Sequence, residues 1–196
     1  VVAVCHLLII SLVFLGPYTL MLHLTSHRRF YKSEYSFMNK FVPWVIGPFM
    51  GQSPESYYSH HVGMHHPENN MREDGSSTME YDRDKVLHYL HYFGSFMLTG
   101  IPVLNQYLLR KNKQTISTNL MRGEYASYVF LSVLGYLNFR STLFVFMLPY
   151  VIIRFGMMSG NWAQHAFINA NTPENNYTNS ITCVNALYNR LCFNDG

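Results

Sequence analysis

Ten histidines stand in a chain of 196 residues, beside 15 tyrosines and 14 phenylalanines. Nine of them follow the first apolar segment: His23 and His27, then His60, His61, His65 and His66, then His88 and His91, then His165. On a helix, residues four apart stand on one face about 5–6 Å from each other. His23/His27 and His61/His65 have that spacing, and His66 adds a neighbouring ligand. Imidazole suits iron, copper, zinc and nickel. Histidines at this density favour a redox metal over structural zinc. The three cysteines (Cys5, Cys183, Cys192) form no CxxC and no disulfide framework. Four histidines within the seven residues 60–66 would repel one another if protonated, so the run needs a cation or a proton-linked role. The pair His23/His27 is weaker by itself, because two such histidines beside a membrane interface also serve in headgroup contact. His88 and His91 share a face of the following helix and are read as packed or hydrogen-bonded, not ligating. Asn161 precedes His165 by four residues, so both side chains can point inward at one site.

The elements that must position these residues are apolar helices. Residues Val1–Leu22 carry no formally charged side chain, and 22 residues at 1.5 Å each reach about 33 Å, the thickness of a hydrocarbon core. The flank His23–Lys40 holds Arg28, Arg29, Lys32 and Lys40 against Glu34, which makes it the cytoplasmic, stromal or matrix side. Phe41–Phe49, interrupted by Pro43, Gly47 and Pro48, is too short to span and reads as an interfacial or re-entrant piece. Gly51–Lys85 is polar, Val86–Leu109 apolar, Arg110–Glu124 a basic loop, Tyr125–Met158 a long apolar stretch with Asn138 and Arg140 at its middle, and Asn161–Gly196 polar again. If the histidines share one site, an even number of crossings separates His66 from His165. Either 86–109 and about 125–150 each cross once, or 125–158 is a hairpin turning at 138–140 while 86–109 does not cross fully. The first option puts Arg110, Lys111, Lys113 and Arg122 on the far side, against the positive-inside rule. The second needs helices of about 17 residues, near the lower limit for spanning.

Composition removes other classes. Charged residues are 13% against about 25% in an ordinary soluble domain, and the net charge of +3 is small and scattered. A disordered chain, a coiled coil and a nucleic-acid binder are all disfavoured. The chain begins at Val1 with no basic region before its first apolar run, which reads as a fragment without a signal peptide.

The runs His23-Leu-Thr-Ser-His27, His60–Asn70 and Asn161-Trp-Ala-Gln-His165 resemble the integral-membrane fatty acid desaturases across nearly the whole chain. The resemblance implies an all-α, integral-membrane helical bundle capped by a histidine-rich cytosolic or stromal side, with 1–196 as one partial domain. It implies metal ligation by His23, His27, His61, His65, His66 and His165, with Asn161 near the metal, directly or through water, and His60 outside the ligand set. It implies two non-haem iron ions, O2 as co-substrate, a fatty acyl lipid substrate and an electron donor such as cytochrome b5 or ferredoxin, in the endoplasmic reticulum or a plastid membrane. A third histidine box is expected beyond Gly196, and without it the stretch 1–196 is expected to be inactive. No cytochrome b5-like segment is visible, so the donor is expected to be separate. Glu68, Asn69, Asn70, Asp74, Asp82 and Asp84 are candidate partners for the ligands, each singly read as a solvated loop residue. Tyr89, Tyr92, Phe93 and Phe96 are given no role beyond packing. The sequon Asn176-Tyr177-Thr178 is expected to carry no glycan, because it follows His165 on the cytosolic side without an intervening span. Two other readings remain: a hydroxylase or ketolase on the same scaffold, acting on acyl, sphingoid or carotenoid chains, and a non-catalytic membrane metal-binding protein.

Overall fold

The computed structural model describes residues 1–169, 171–175 and 177–180, and every regular element among them is helical. Asn176, Cys183 and Cys192 lie outside the described residues, as does the region in which a third histidine box is expected. α1 (Val2–His27) is long and apolar enough to cross a membrane, and its last turn carries His23 and His27. It stops where Arg28 becomes extended, at the start of the basic flank.

The chain then folds back through short helical turns at Ser33–Lys40, Val42–Ile46 and Gly47–Phe49. Phe37, Phe41, Trp44, Val45 and Phe49 are exposed along this stretch. The following residues, Gln52 to Glu55, are buried. Irregular backbone at membrane depth is tolerated only when protein covers it, and two glycines allow that cover. Gly123 lies so close to the loop that a Cβ there would sit 1.9 Å from the Pro54 carbonyl oxygen. Gly51 takes a left-handed φ of +66° and a Cβ there would meet the Pro149 carbonyl oxygen at 2.6 Å. The stretch does not form a spanning helix, in keeping with its short, interrupted sequence, and its end is covered by the segments that carry Gly123 and Pro149.

α2 (residues 56–68) carries the dense histidine run and ends at Asn69, whose left-handed φ of 48° terminates it. α3 (Val86–Arg110) packs along the 60–78 region for much of its length. The Tyr92 hydroxyl donates to the Ser76 carbonyl at 3.2 Å. Leu104, Tyr107 and Leu108 share a buried cluster with Met64 and Leu120. Arg110 and Lys111 pair with Glu73 at 3.5 and 2.6 Å, and Lys111 reaches Glu68 at 3.0 Å. Lys113 Nζ donates to the Gly63 carbonyl at 2.7 Å. The basic loop therefore sits directly against the histidine helix.

α4 (residues 114–137) and α5 (residues 139–164) are separated by Asn138, whose backbone (φ −157°, ψ 89°) leaves the helical region at the position that Asn138 and Arg140 marked. Phe130 and Phe146 meet across the break with centroids 5.2 Å apart. α4 starts well inside the stretch read as a basic loop, because Ser117, Leu120, Gly123 and Glu124 form a buried helical face against the Pro54 loop and α2. Its outer face exposes Tyr125, Tyr128, Val129, Val133, Tyr136 and Leu137, an apolar surface suited to lipid. α1 and α5 run side by side, joined with the loop that follows Phe49 in a cluster of Ile10, Tyr18, Leu22, Met50 and Ile153. The described residues form an all-α membrane bundle with the cluster of His23, His27, His61 and His66 at one end of the long helices.

Candidate metal centre

His23 and His27 occupy the last turn of α1, where their rings meet edge to face with centroids 5.0 Å apart. α2 supplies the opposing side. Residues 61–65 form a π turn, in which hydrogen bonds run i to i+5. That widening changes which histidines stand over one another. His61 adjoins His66 with Nε2 atoms 2.9 Å apart, and His60 stacks on His65 at 6.0 Å with rings 6° from parallel. His27 Nε2 lies 3.2 Å from His61 Nε2. One ring nitrogen from each of His23, His27, His61 and His66 falls within a set no wider than 4.8 Å. A neutral-imidazole donor set this compact is suited to a metal cation.

Burial, then the proximity of His66, His23, His65 and His60, holds the His61 imidazole far below the ordinary histidine range. His66 is pushed down to about 4 by burial and then by His27, His65 and His23. Both are therefore neutral at physiological pH, the state a ligating imidazole needs.

His65 points elsewhere. Its Nδ1 meets Asp74 Oδ2 at 2.6 Å, and its ring centroid is 5.5 Å from that of His165. Burial raises the Asp74 carboxyl, but the His65 hydrogen bond, the charges of His65 and His60 and the Ser76 amide outweigh it, so the group lies well below the carboxylate range. Asp74 is 3% exposed and also accepts the Asn70 and Ser76 amides at 3.2 and 2.8 Å and the Ser76 hydroxyl at 2.7 Å. It is thus no solvated loop residue. Nothing in its sequence neighbourhood separates it from Asp82, which is exposed and paired with Lys85, or from Asp84, which is exposed. His165 presents Nδ1 to the Asn179 carbonyl at 3.1 Å. The outer nitrogens of His65 and His165 are both anchored by oxygen acceptors, the usual arrangement behind a metal-ligating imidazole.

Asn161 donates through Nδ2 to the Ser76 carbonyl at 3.1 Å and to the Tyr92 hydroxyl at 2.7 Å, so Tyr92 positions a site residue instead of merely packing. Asn70 closes the same loop, with its side chain bonded to the Thr78 amide and hydroxyl. Glu68 is engaged by Tyr107 and Lys111, away from the histidine nitrogens. His60 lies against Phe96 at 5.5 Å with its Nε2 buried and without a hydrogen-bond partner among the described residues, and burial pushes its pKa down to about 4. His88 and His91 stay outside the centre. His88 Nδ1 accepts the Asp82 amide at 2.9 Å, and His91 Nδ1 meets the Tyr81 hydroxyl at 3.2 Å.

A cavity of about 840 Å³ opens between α1, α3 and α5 and reaches His23, His60, His61 and His65. Leu12, Leu15, Leu20, Ile101, Leu104 and Met158 contribute to its apolar walls.

An apolar cavity thus leads to a compact imidazole cluster, able to hold a metal ion, at the end of helices long and apolar enough to cross a membrane. The fatty acid desaturase family model matches residues 1–196, and the chain belongs to that family. No curated protein and no solved structure matches it.

Proposed function

We propose that the protein is an O2-dependent di-iron oxidoreductase that introduces a double bond into the fatty acyl chain of a lipid. The observation that carries this is the junction of the long apolar cavity with the histidine cluster. His23, His27, His61 and His66 would hold one iron; His65 and His165 would contribute to the second, with Asn161 nearby. When bound, the iron pair supplies activation of O2 and removal of hydrogen from an unactivated C–H bond. The chain's own groups do the rest. Asp74 and the Asn179 carbonyl fix the rings of His65 and His165, so each offers Nε2 inward. The cavity walls strip water from the acyl chain and align it against the histidines. Electrons would come from a separate carrier such as cytochrome b5 or ferredoxin, and residues 1–196 would form one continuous domain in an endoplasmic-reticulum or plastid membrane.

The packing of Lys111 and Lys113 against α2 supports a topology in which α1, α4 and α5 cross and α3 does not. The basic loop then lies with the histidines on the cytosolic or stromal side, as the positive-inside rule prefers. Single cysteines replacing Lys32 and Arg110 are expected to react with a membrane-impermeant maleimide from the same face. Labelling from opposite faces would rule the topology out.

The function is tested by metal analysis and product identification on a purified chain that includes the expected third histidine box, supplied with acyl lipid, O2 and reductant. The expected result is two irons per chain and an unsaturated product. A hydroxylated or keto product would assign the hydroxylase or ketolase chemistry instead, and a chain with one zinc or no metal would remove the di-iron reading.

A further inference from the structure

The apolar cavity contains a patch of nitrogen donors away from the histidine quartet. Arg154 of α5 is 5% exposed, lines the cavity, and has a buried Nε with no hydrogen-bond partner among the described residues. Its Nη2 donates to Ser53 Oγ at 3.3 Å, and its guanidinium lies 3.9 Å over the Tyr150 ring. Ser53 Oγ in turn donates to the buried Glu124 carboxyl, so the formal charges of Arg154 and Glu124 are offset through one bridging hydroxyl. Gln52, on the same cavity wall, gives its Nε2 among the described residues only the thioether of Met157 at 3.0 Å, a weak acceptor. His60 also lines this space, its Nε2 buried without a hydrogen-bond partner among the described residues. Unsatisfied donors in an apolar site each carry a penalty, which a ligand acceptor removes.

We infer that the cavity takes a long apolar chain bearing an uncharged oxygen acceptor, a carbonyl or a hydroxyl, seated against Arg154 and Gln52. Arg154 precedes Asn161 by two helical turns, so this contact lies about 10 Å along α5 from the metal centre. The offset by Glu124 selects a neutral oxygen over a carboxylate, because a second anion would have no cation of its own. The inference rests on the cavity being the acyl site, and it adds a polar recognition point within it.

The test measures displacement of a fluorescent fatty acyl probe from the full chain in nanodiscs, with partition into empty discs subtracted. The competitors are a long saturated fatty acid methyl ester, its mid-chain hydroxy derivative and the oxygen-free alkane of equal length. At least one oxygen-bearing ligand is expected to bind about tenfold more tightly than the alkane. Which one does so separates a carbonyl from a chain hydroxyl as the source. The advantage is expected to vanish in Arg154→Met and to shrink in Gln52→Leu, while alkane binding is unchanged. Equal binding of all three ligands to the wild type overturns the inference without any variant needing to fold, as does an advantage that persists in Arg154→Met. If none of the three displaces the probe, the acyl-cavity reading itself falls.

Discussion

His61→Ala is expected to abolish desaturation, a loss of more than about 100-fold, because changes even to the groups behind a metal ligand cost 10–100-fold. His61 is the hinge of the quartet. Its Nε2 lies 3.2 Å from that of His27 and 2.9 Å from that of His66, and its ring sits 4.7 Å from His23. Removing it leaves three imidazoles from two helices without the nitrogen that joins them. The control is His6→Ala. His6 lies 17 residues before His23 in α1, about 26 Å along the axis, and is expected to leave activity unchanged. Conversion of a labelled acyl lipid in membranes, by a chain that includes the expected third histidine box, checks both. Wild-type turnover by His61→Ala would take His61 out of the ligand set and with it the single-centre reading.

The second large effect is expected at a residue that is not itself a ligand. Asp74→Asn should lower iron affinity by about 10–100-fold. The carboxyl accepts from His65 Nδ1, from the Asn70 and Ser76 amides and from the Ser76 hydroxyl. An asparagine turns an N–H2 group toward donors, so His65 loses the acceptor that sets its tautomer and at least one buried amide is left unpaired. Each such group is worth about 1–3 kcal/mol, so a lower melting temperature should accompany the loss. Iron titration of the metal-stripped protein separates the two effects, since Asp74→Glu restores an acceptor and should recover part of the affinity even if stability stays low. Wild-type iron binding by Asp74→Asn would show that Asp74 serves the loop alone.

Much of the molecule was legible in the residues themselves. Apolar length marked α1, and the Asn138 break was visible as Asn138 and Arg140 inside an apolar run. The histidine runs marked the candidate site because four imidazoles in seven residues need a cation or a proton-linked role. These are local properties, set by hydropathy and by residue type, and they need no partner to be read. The start of α4 was not legible, since its polar, basic residues become helical only when Ser117, Leu120, Gly123 and Glu124 find the Pro54 loop and α2 to pack against.

The pairing inside the dense run was also beyond the sequence. Spacing at i,i+4 suggested His61 with His65, but the π turn shifts the register so that His61 meets His66 and His65 faces Asp74 and His165. A π turn has no compositional signature here and is held by its surroundings, Met64 being locked among Leu104, Leu108 and Leu120. Asp74 and Tyr92 acquired their roles in the same way. Their partners lie 9 and 69 residues away in the chain, His65 for one and Asn161 for the other, and only the packing of α3 and the 69–78 loop over α2 brings them into contact. The sequence by itself determined which atoms are available for chemistry and that they sit at a membrane; the tertiary structure decided which nitrogen faces which neighbour, because that depends on helix register and burial across segments far apart in the chain.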